Sequence, residues 1–313
     1  MTRKTLKFTL FILSFVISAT LSAQSIKIGF AWAGKSGMAD RVTNGFDNRI
    51  KEIGSNLDIE YVKNLPDINK LGEVIDRFQK SKTGMVILRS NGAEYLGKNQ
   101  PKIPTFIGGC NHPAQLGTVQ NLMNPEGNIT GVTYFLPVET QFEIFTTLLP
   151  NMKSLVLLAN KNNPSSSVDL SETQQMCAKM GFKCVYELTT NKNQVFDAVN
   201  KYKNEYSAFV IGNQAEVMDV TEQIVSLAGK VPVLSYSSIP VKKGALGGFV
   251  ADDFKLGMLL ADSVVDVLVK GKSIKSVSIK VDPKPKFFIN TKTAEMLGIE
   301  IPFEILELAE LVQ

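Results

Sequence analysis

Short apolar runs recur along the chain, each followed by a polar turn and often by a longer stretch with helical spacing. The runs are "IKIGFAW", "LDIEYV", "GMVILR", "PTFIGG", "NITGVTYF", "SLVLLAN", "FKCVYEL", "AFVIGN", "VPVLSY" and "LGGFVAD". Helical spacing marks Met38 to Ile53, Ile68 to Ser81, Val138 to Leu149, Ser167 to Met180, Gln194 to Lys203, Glu216 to Gly229 and Phe254 to Lys270. Strands alternating with helices predict parallel sheets wrapped by helices. Ten strand-like runs are many for one sheet, and the pattern restarts. "SIKIGFAWAG" near residue 25 and "MKSLVLLANKNNP" near 152 each open a β-α-β series, the second just after Leu149-Pro150. This predicts two α/β lobes of similar construction, although no sequence repeat is visible. The glycine-rich "GALGGFVADDFKLG" and the extended "IKVDPKPKFFIN" are candidate crossovers between them. Lobes joined by several crossovers make a hinge and a cleft.

Composition adds little to this picture and removes some alternatives. Of 313 residues, 44% are hydrophobic and 20% charged, which is ordinary globular composition. A net charge of +4 with no basic stripe gives no reason to expect a nucleic-acid partner. The first 23 residues read differently from the rest. Arg3, Lys4 and Lys7 precede the apolar run Phe8 to Ile17, and "LSA" closes at Ala23. This is the pattern of an export signal, cleaved before Gln24. The run is short for a membrane anchor. Gln24 stands where a lipoprotein would carry Cys, so a soluble periplasmic protein is expected. Later, "KLGMLLADSVVDVLVKG" is interrupted by Asp262 and Asp266, four apart on one face of an amphipathic helix.

Three cysteines, Cys110, Cys177 and Cys184, contain no C-x-x-C. A bond between Cys177 and Cys184 and a set of small buried thiols both fit the sequence. The single histidine, His112, removes most histidine-based metal sites and precedes Pro113 in a loop. No G-x-S-x-G, H-E-x-x-H or close acid pair with a base is present. The expectation is a binding protein without cofactor or metal, not an enzyme.

One motif argues otherwise. "GFAWAGKS", Gly29 to Ser36, matches the Walker A pattern G-x-x-x-x-G-K-S after a strand. In a phosphate loop the four variable residues wrap the anion with backbone N–H groups. Here they are Phe30, Ala31, Trp32 and Ala33, which continue the strand instead. Of the apolar strands only "GGFVADD" ends in Asp, and it comes late. ATP is also scarce outside the cytoplasm. What remains is a position. Trp32 and Ser36 lie at the carboxyl end of the first strand, where open α/β sheets bind ligands. Ser36 could also cap the next helix, and Trp32 could pack in the core.

The other strand ends are polar in a consistent way. They carry Ser90 and Asn91, Asn111 and His112, Asn160 and Ser165, Asn213 and Gln214, and Tyr236 and Ser237. Such side chains give directional hydrogen bonds without charge, and each could equally cap a helix or shape a turn. Of the pair Asp252 and Asp253, Asp253 suits the cap of the helix that begins near Phe254. Asp252 is the better candidate to hold a ligand ammonium group.

These segments resemble the substrate-binding proteins of bacterial ABC uptake systems, in the group typified by tryptophan/tyrosine-type transporters. The resemblance rests on "NPEGNITGVTYF", "LLPNMKSLVLLANKNNPSS", "GALGGFVADDFKLGMLLADSVVDVLVKGKSI" and "FFINTKTAEMLGIEIPFEILELAELV", in that order. The first lobe departs more, with "WAGKSGM" and "RSNGAEYLGK". The resemblance implies a type I periplasmic binding protein fold, two doubly wound parallel-sheet lobes joined by crossover hinge strands. It implies lobes of residues 24–131 with about 250–285, and 132–249 with about 286–313. It further implies a monomer that captures a small molecule by hinge closure and delivers it to a permease driven by a separate ATPase. A sensing module that signals to a membrane kinase or chemoreceptor would use the same hinge. By matching positions, Ser90, Asn91, Asn160, Asn213 or Gln214, Tyr236 and Asp252 become the expected contacts. Trp32 or Tyr236 would stack on an apolar ligand side chain.

Overall fold

The computed structural model describes residues 25–313, so the segment expected to be an export signal lies outside the described residues. The chain begins with β1 (Ile26–Ala33), α1 (Gly37–Ile53), β2 (Leu57–Leu65), α2 (Ile68–Ser81), β3 (Gly84–Leu88), α3 (Ser90–Lys98), β4 (Thr105–Gly108) and β5 (Ile129–Gly131). These five strands form one parallel sheet in the order β2-β1-β3-β4-β5. The chain then restarts with α4 (Val138–Leu148), β6 (Ser154–Asn160), α5 (Ser165–Met180), β7 (Lys183–Thr189), α6 (Lys192–Tyr202) and β8 (Phe209–Ile211). It continues through α7 (Ala215–Met218), α8 (Thr221–Ala228), β9 (Val233–Ser235), α9 (Ser238–Lys242) and β10 (Gly247–Val250). The helix α10 (Asp253–Val264) returns to the first sheet. The strand β11 (Lys286–Asn290), helices α11 (Thr291–Leu297) and α12 (Phe303–Leu308), and strand β12 (Ala309–Val312) then complete the second sheet. Its order is β12-β11-β10-β9-β8-β6-β7, parallel except where β10 meets β11.

The first five strands of each sheet share one topology. In both, the opening strand lies between the second and third strands of its series. The order therefore reverses between β1 and β3 and between β6 and β8, and loops leaving these pairs diverge to open a crevice at the carboxyl ends. Burial explains why the strands read as continuous apolar runs. Ile28, Phe30 and Trp32 pack on the face covered by α1 and α10, while Ala31 and Ala33 face α2 and α3. In the second sheet Leu155, Leu157 and Ala159 face α4 and α5, and Val156 and Leu158 face α6 and α8. Parallel sheets covered on both faces demand this composition.

The return of α10 depends on two glycines. A Cβ at Gly257 would strike the carbonyl oxygen of Val42, and one at Gly45 would strike that of Phe254. Both absences let α1 and α10 approach backbone to backbone. The chain crosses between sheets near residues 132–137, 251–252 and 281–285. Asp282 ties the last two crossings together. Its carboxylate accepts from the backbone N–H of Asp252 (2.8 Å) and Lys284 (2.9 Å) and pairs with Lys255 Nζ at 2.7 Å. Cys177, in the last turn of α5, forms a disulfide with Cys184 in β7, and Cys110 is a buried free thiol. Among the described residues no helix is long and apolar enough to cross a membrane.

Candidate functional site

A cleft of about 510 Å³ lies between the carboxyl ends of the two sheets. Its first wall is the loop from β1 to α1 and the junction of β3 with α3. Its second wall is the loop from β6 to α5, the face of α5, and the residues following β8 and β9. Ser36, Ser90, Asn91, Asn111, Asn213 and Tyr236 line it.

Most of these side chains also shape the wall. Ser36 Oγ accepts from Ala39 N at 3.2 Å and so caps α1. Ser90 Oγ accepts from Asn111 N at 3.0 Å. Asn91 Oδ1 accepts from Gly92 N. Tyr236 stacks on Phe145 with planes 11° apart, and its hydroxyl lies 2.8 Å from Thr173 Oγ1. The side chain of Asn213 faces the cleft without a protein partner among the described residues.

Four expectations are corrected. Trp32 does not reach the cleft. Its parity with Ile28 and Phe30 turns it into the α1/α10 layer, where it is fully buried, with its indole N–H donating to Asn64 Oδ1 at 3.2 Å. Asn160 stands behind the wall, its Oδ1 accepting from Asn162 N. Gln214 is fully buried, donating to Asp169 Oδ2 at 2.6 Å while accepting from Asn160 N. The two aspartates exchange places. Asp252 is the N-cap of α10, accepting from Lys255 N at 3.1 Å, and Asp253 lines the cleft. One residue of register decides this, because successive helix positions point about 100° apart. His112 sits in the β4–β5 connection, with Nδ1 accepting from Gln115 N and its ring edge-on to Phe135.

Three further parts of the site carry no motif. Asp169, on the buried face of α5, is 6% exposed. Its carboxylate accepts from Asn111 Nδ2 (2.9 Å), Asn213 N (2.9 Å) and Gln214 Nε2 (2.6 Å). Asn111 belongs to the first sheet's lobe and Asp169 to the second, so this cluster joins the walls. Burial pushes the Asp169 carboxyl upward against those three donors. The α5 stretch "SSSVDLSETQQ" shows only a faint apolar stripe, because part of its inward face lines a polar cleft.

Arg41 and Asp253 form the second part, with Nε and Nη2 donating to one carboxylate oxygen at 3.0 and 2.8 Å. Burial raises the Asp253 carboxyl, and Arg41 opposes that shift. The third part is Arg89, at the end of β3, with Nη1 donating to Ala33 O. Burial lowers its guanidinium from the ordinary value, partly offset by the field of Glu216 on the opposite wall. Tyr134, in the first crossover, completes the floor, and burial holds its phenol protonated.

Chemically the cleft can hold a small molecule with charges of both signs and an aromatic or apolar part. Among the described residues no group of three His, Cys, Asp or Glu could hold a metal ion. The Walker-like segment is strand through Ala33, so it does not wrap an anion.

Known proteins agree with this architecture. The chain is 20% identical over 288 residues to a tyrosine-binding protein of Clostridioides difficile, covering 90% of this chain and 83% of the other. A crystal structure of an ABC domain in complex with L-Trp, from Streptococcus pneumonia, superposes with a TM-score of 0.81 at 23% identity, over 93% of this chain and all of that one. The ligand-free, open structure of a substrate-binding protein with adhesive properties from Clostridium difficile gives a TM-score of 0.76 at 22% identity, over 92% and 99% of the two chains. These similarities place the two lobes in the type I periplasmic binding protein fold. The family model for ABC transporter substrate binding proteins matches residues 35–313, and the chain belongs to that family.

Proposed function

We propose that this protein captures an aromatic α-amino acid, or a close relative of one, outside the cytoplasm and presents it to an ABC permease. The observation that carries the reading is the composition of the cleft. Tyr134, Phe135, Tyr236 and Phe249 supply apolar and aromatic surface, while Arg89 and the acids of the opposite wall supply both charges a zwitterion needs. The tyrosine-binding relative and the L-Trp-bound neighbour share this fold and support the choice of class. On this reading residues 1–23 are a cleaved export signal and the mature protein is a periplasmic monomer. Residues 24–131 with 250–285 form one lobe and 132–249 with 286–313 the other. The protein binds its ligand and does not transform it.

Native mass spectrometry of the protein purified without added ligand tests this, followed by calorimetric titration with the twenty amino acids. A co-purifying aromatic amino acid that binds at one site is the expected result. Saturable binding confined to sugars or nucleosides overturns the reading.

A further inference from the structure

Arg89 stands out in backbone and side chain alike. Its φ of 76° and ψ of 157° lie in a region that glycine adopts freely and other residues adopt at a cost. Strain of this kind persists where the side chain has work that glycine cannot do. The neighbouring turn is adapted to it, since a Cβ at Gly34 would collide with Arg89 Nη1. The guanidinium is half-buried in the cleft wall at the β1/β3 switch point. Apart from the bond to Ala33 O, its donors have no protein acceptor, and it makes no ion pair among the described residues.

We propose that Arg89 is the residue that selects a carboxylate on the bound solute, which docks against its unpaired N–H donors. A guanidinium matches a planar carboxylate through two parallel hydrogen bonds. A phosphate dianion fits less well. The same cleft carries Asp169, Glu172, Glu216, Asp219 and Asp253, while Arg41 is already paired with Asp253 and the remaining cation, Lys35, is an exposed ammonium at the mouth of the first wall. One carboxylate is matched by the half-buried guanidinium, whereas a second negative charge would face five acids with only the solvent-exposed Lys35 to offset it. The inference rests on the reading of the cleft as a solute site, and it adds which part of the solute the first wall recognises.

The test compares wild type, Arg89→Gly and Arg89→Lys in calorimetric titrations with L-tyrosine, tyramine, L-tryptophan, tryptamine, indole-3-acetate and inorganic phosphate. Wild type is expected to bind at least one of the carboxylates and to reject the amine that lacks it. Arg89→Gly should weaken carboxylate binding about 10- to 100-fold. Arg89→Lys, which keeps the charge and loses the fork, should fall between. Without ligand, Arg89→Gly should melt close to wild type, because relief of the strained backbone offsets loss of the bond to Ala33 O. A purely structural brace would instead melt lower and leave affinity unchanged. The proposal is overturned if Arg89→Gly binds the carboxylates as wild type does. It is equally overturned if amines bind as tightly as their amino acids, or if phosphate alone binds. Binding of indole-3-acetate through Arg89 without binding of either amino acid would sink the amino-acid reading and leave the carboxylate assignment standing.

Discussion

Replacing Asn111 by alanine should shift the protein toward an open cleft. Asn111 is 3% exposed and donates from Nδ2 to Asp169 Oδ1 at 2.9 Å and to Ser165 O at 3.3 Å. Both acceptors belong to the other lobe, so these bonds exist only while the walls are together. A hydrogen bond to a charged acceptor contributes about 1.5–3 kcal/mol. Asp169 keeps the Asn213 and Gln214 donors of its own lobe and is not stranded, which favours the lower part of that range. A loss of about 2 kcal/mol lowers the ratio of closed to open protein about 30-fold. Apparent ligand affinity falls with the closed fraction, by up to the same factor. Fluorescence transfer between dyes on the two lobes, with small-angle scattering as a label-free control, reads the distribution. The variant should show a larger radius of gyration without ligand and recover the wild-type value at saturation. Unchanged transfer efficiency together with unchanged affinity would refute the idea that this contact holds the lobes together.

Asp252→Ala should cost about 1 kcal/mol in urea denaturation, as loss of an N-cap does, with solute affinity intact. Trp32→Ala should cost about 3–5 kcal/mol because it empties a fully buried site, and the protein that remains folded should bind as before; selective loss of binding would return Trp32 to the cleft. Gly257→Ala, which drives a methyl group into the carbonyl of Val42, should cost about 1–3 kcal/mol by the same assay. Asp282→Asn tests linkage to pH. Its carboxyl is held below the ordinary value of 3.8, because the Lys255 pair and two backbone N–H groups outweigh the opposing effect of burial. The stability it adds is therefore present above 3.8 and lost as pH falls through the depressed value. The gap between wild type and Asp282→Asn in denaturation midpoints should be full at neutral pH and shrink below pH 3.8. A gap constant with pH would refute the assignment.

Most element types were legible along the chain, and the exceptions share a cause. The stretch Glu216 to Gly229 reads as one helix but breaks at Asp219–Val220 into α7 and α8. The stretch Phe254 to Lys270 keeps its period through Val264 and then widens into a π-helical turn over Val265–Val269. The five-residue α9 carries too few positions to show a period. The strand β12 gains its ladder only by pairing with β11, so "AELV" had no local signal. For the site, strand-end polarity pointed to Ser36, Ser90, Asn91, Asn111, Asn213 and Tyr236, all of which line the cleft. It could not distinguish them from Asn160 and Gln214, which present the same chemistry from behind the wall.

By itself the sequence determined the parallel α/β alternation, the restart near residue 152 and the edge at which polar groups gather. Each of these follows from period and burial, which are local. Tertiary structure decided which side chains face the cleft and which charges lack partners. Trp32 was assigned to the core by the helices that cover its face of the sheet, and Asp253 to the cleft by one residue of helix register. Asp169 acquired its donors from segments more than forty residues away on either side. The unpaired guanidinium of Arg89 became visible only when the turn at Gly34 closed against it. An absent partner is a property of all neighbouring segments together, and no stretch of sequence displays it.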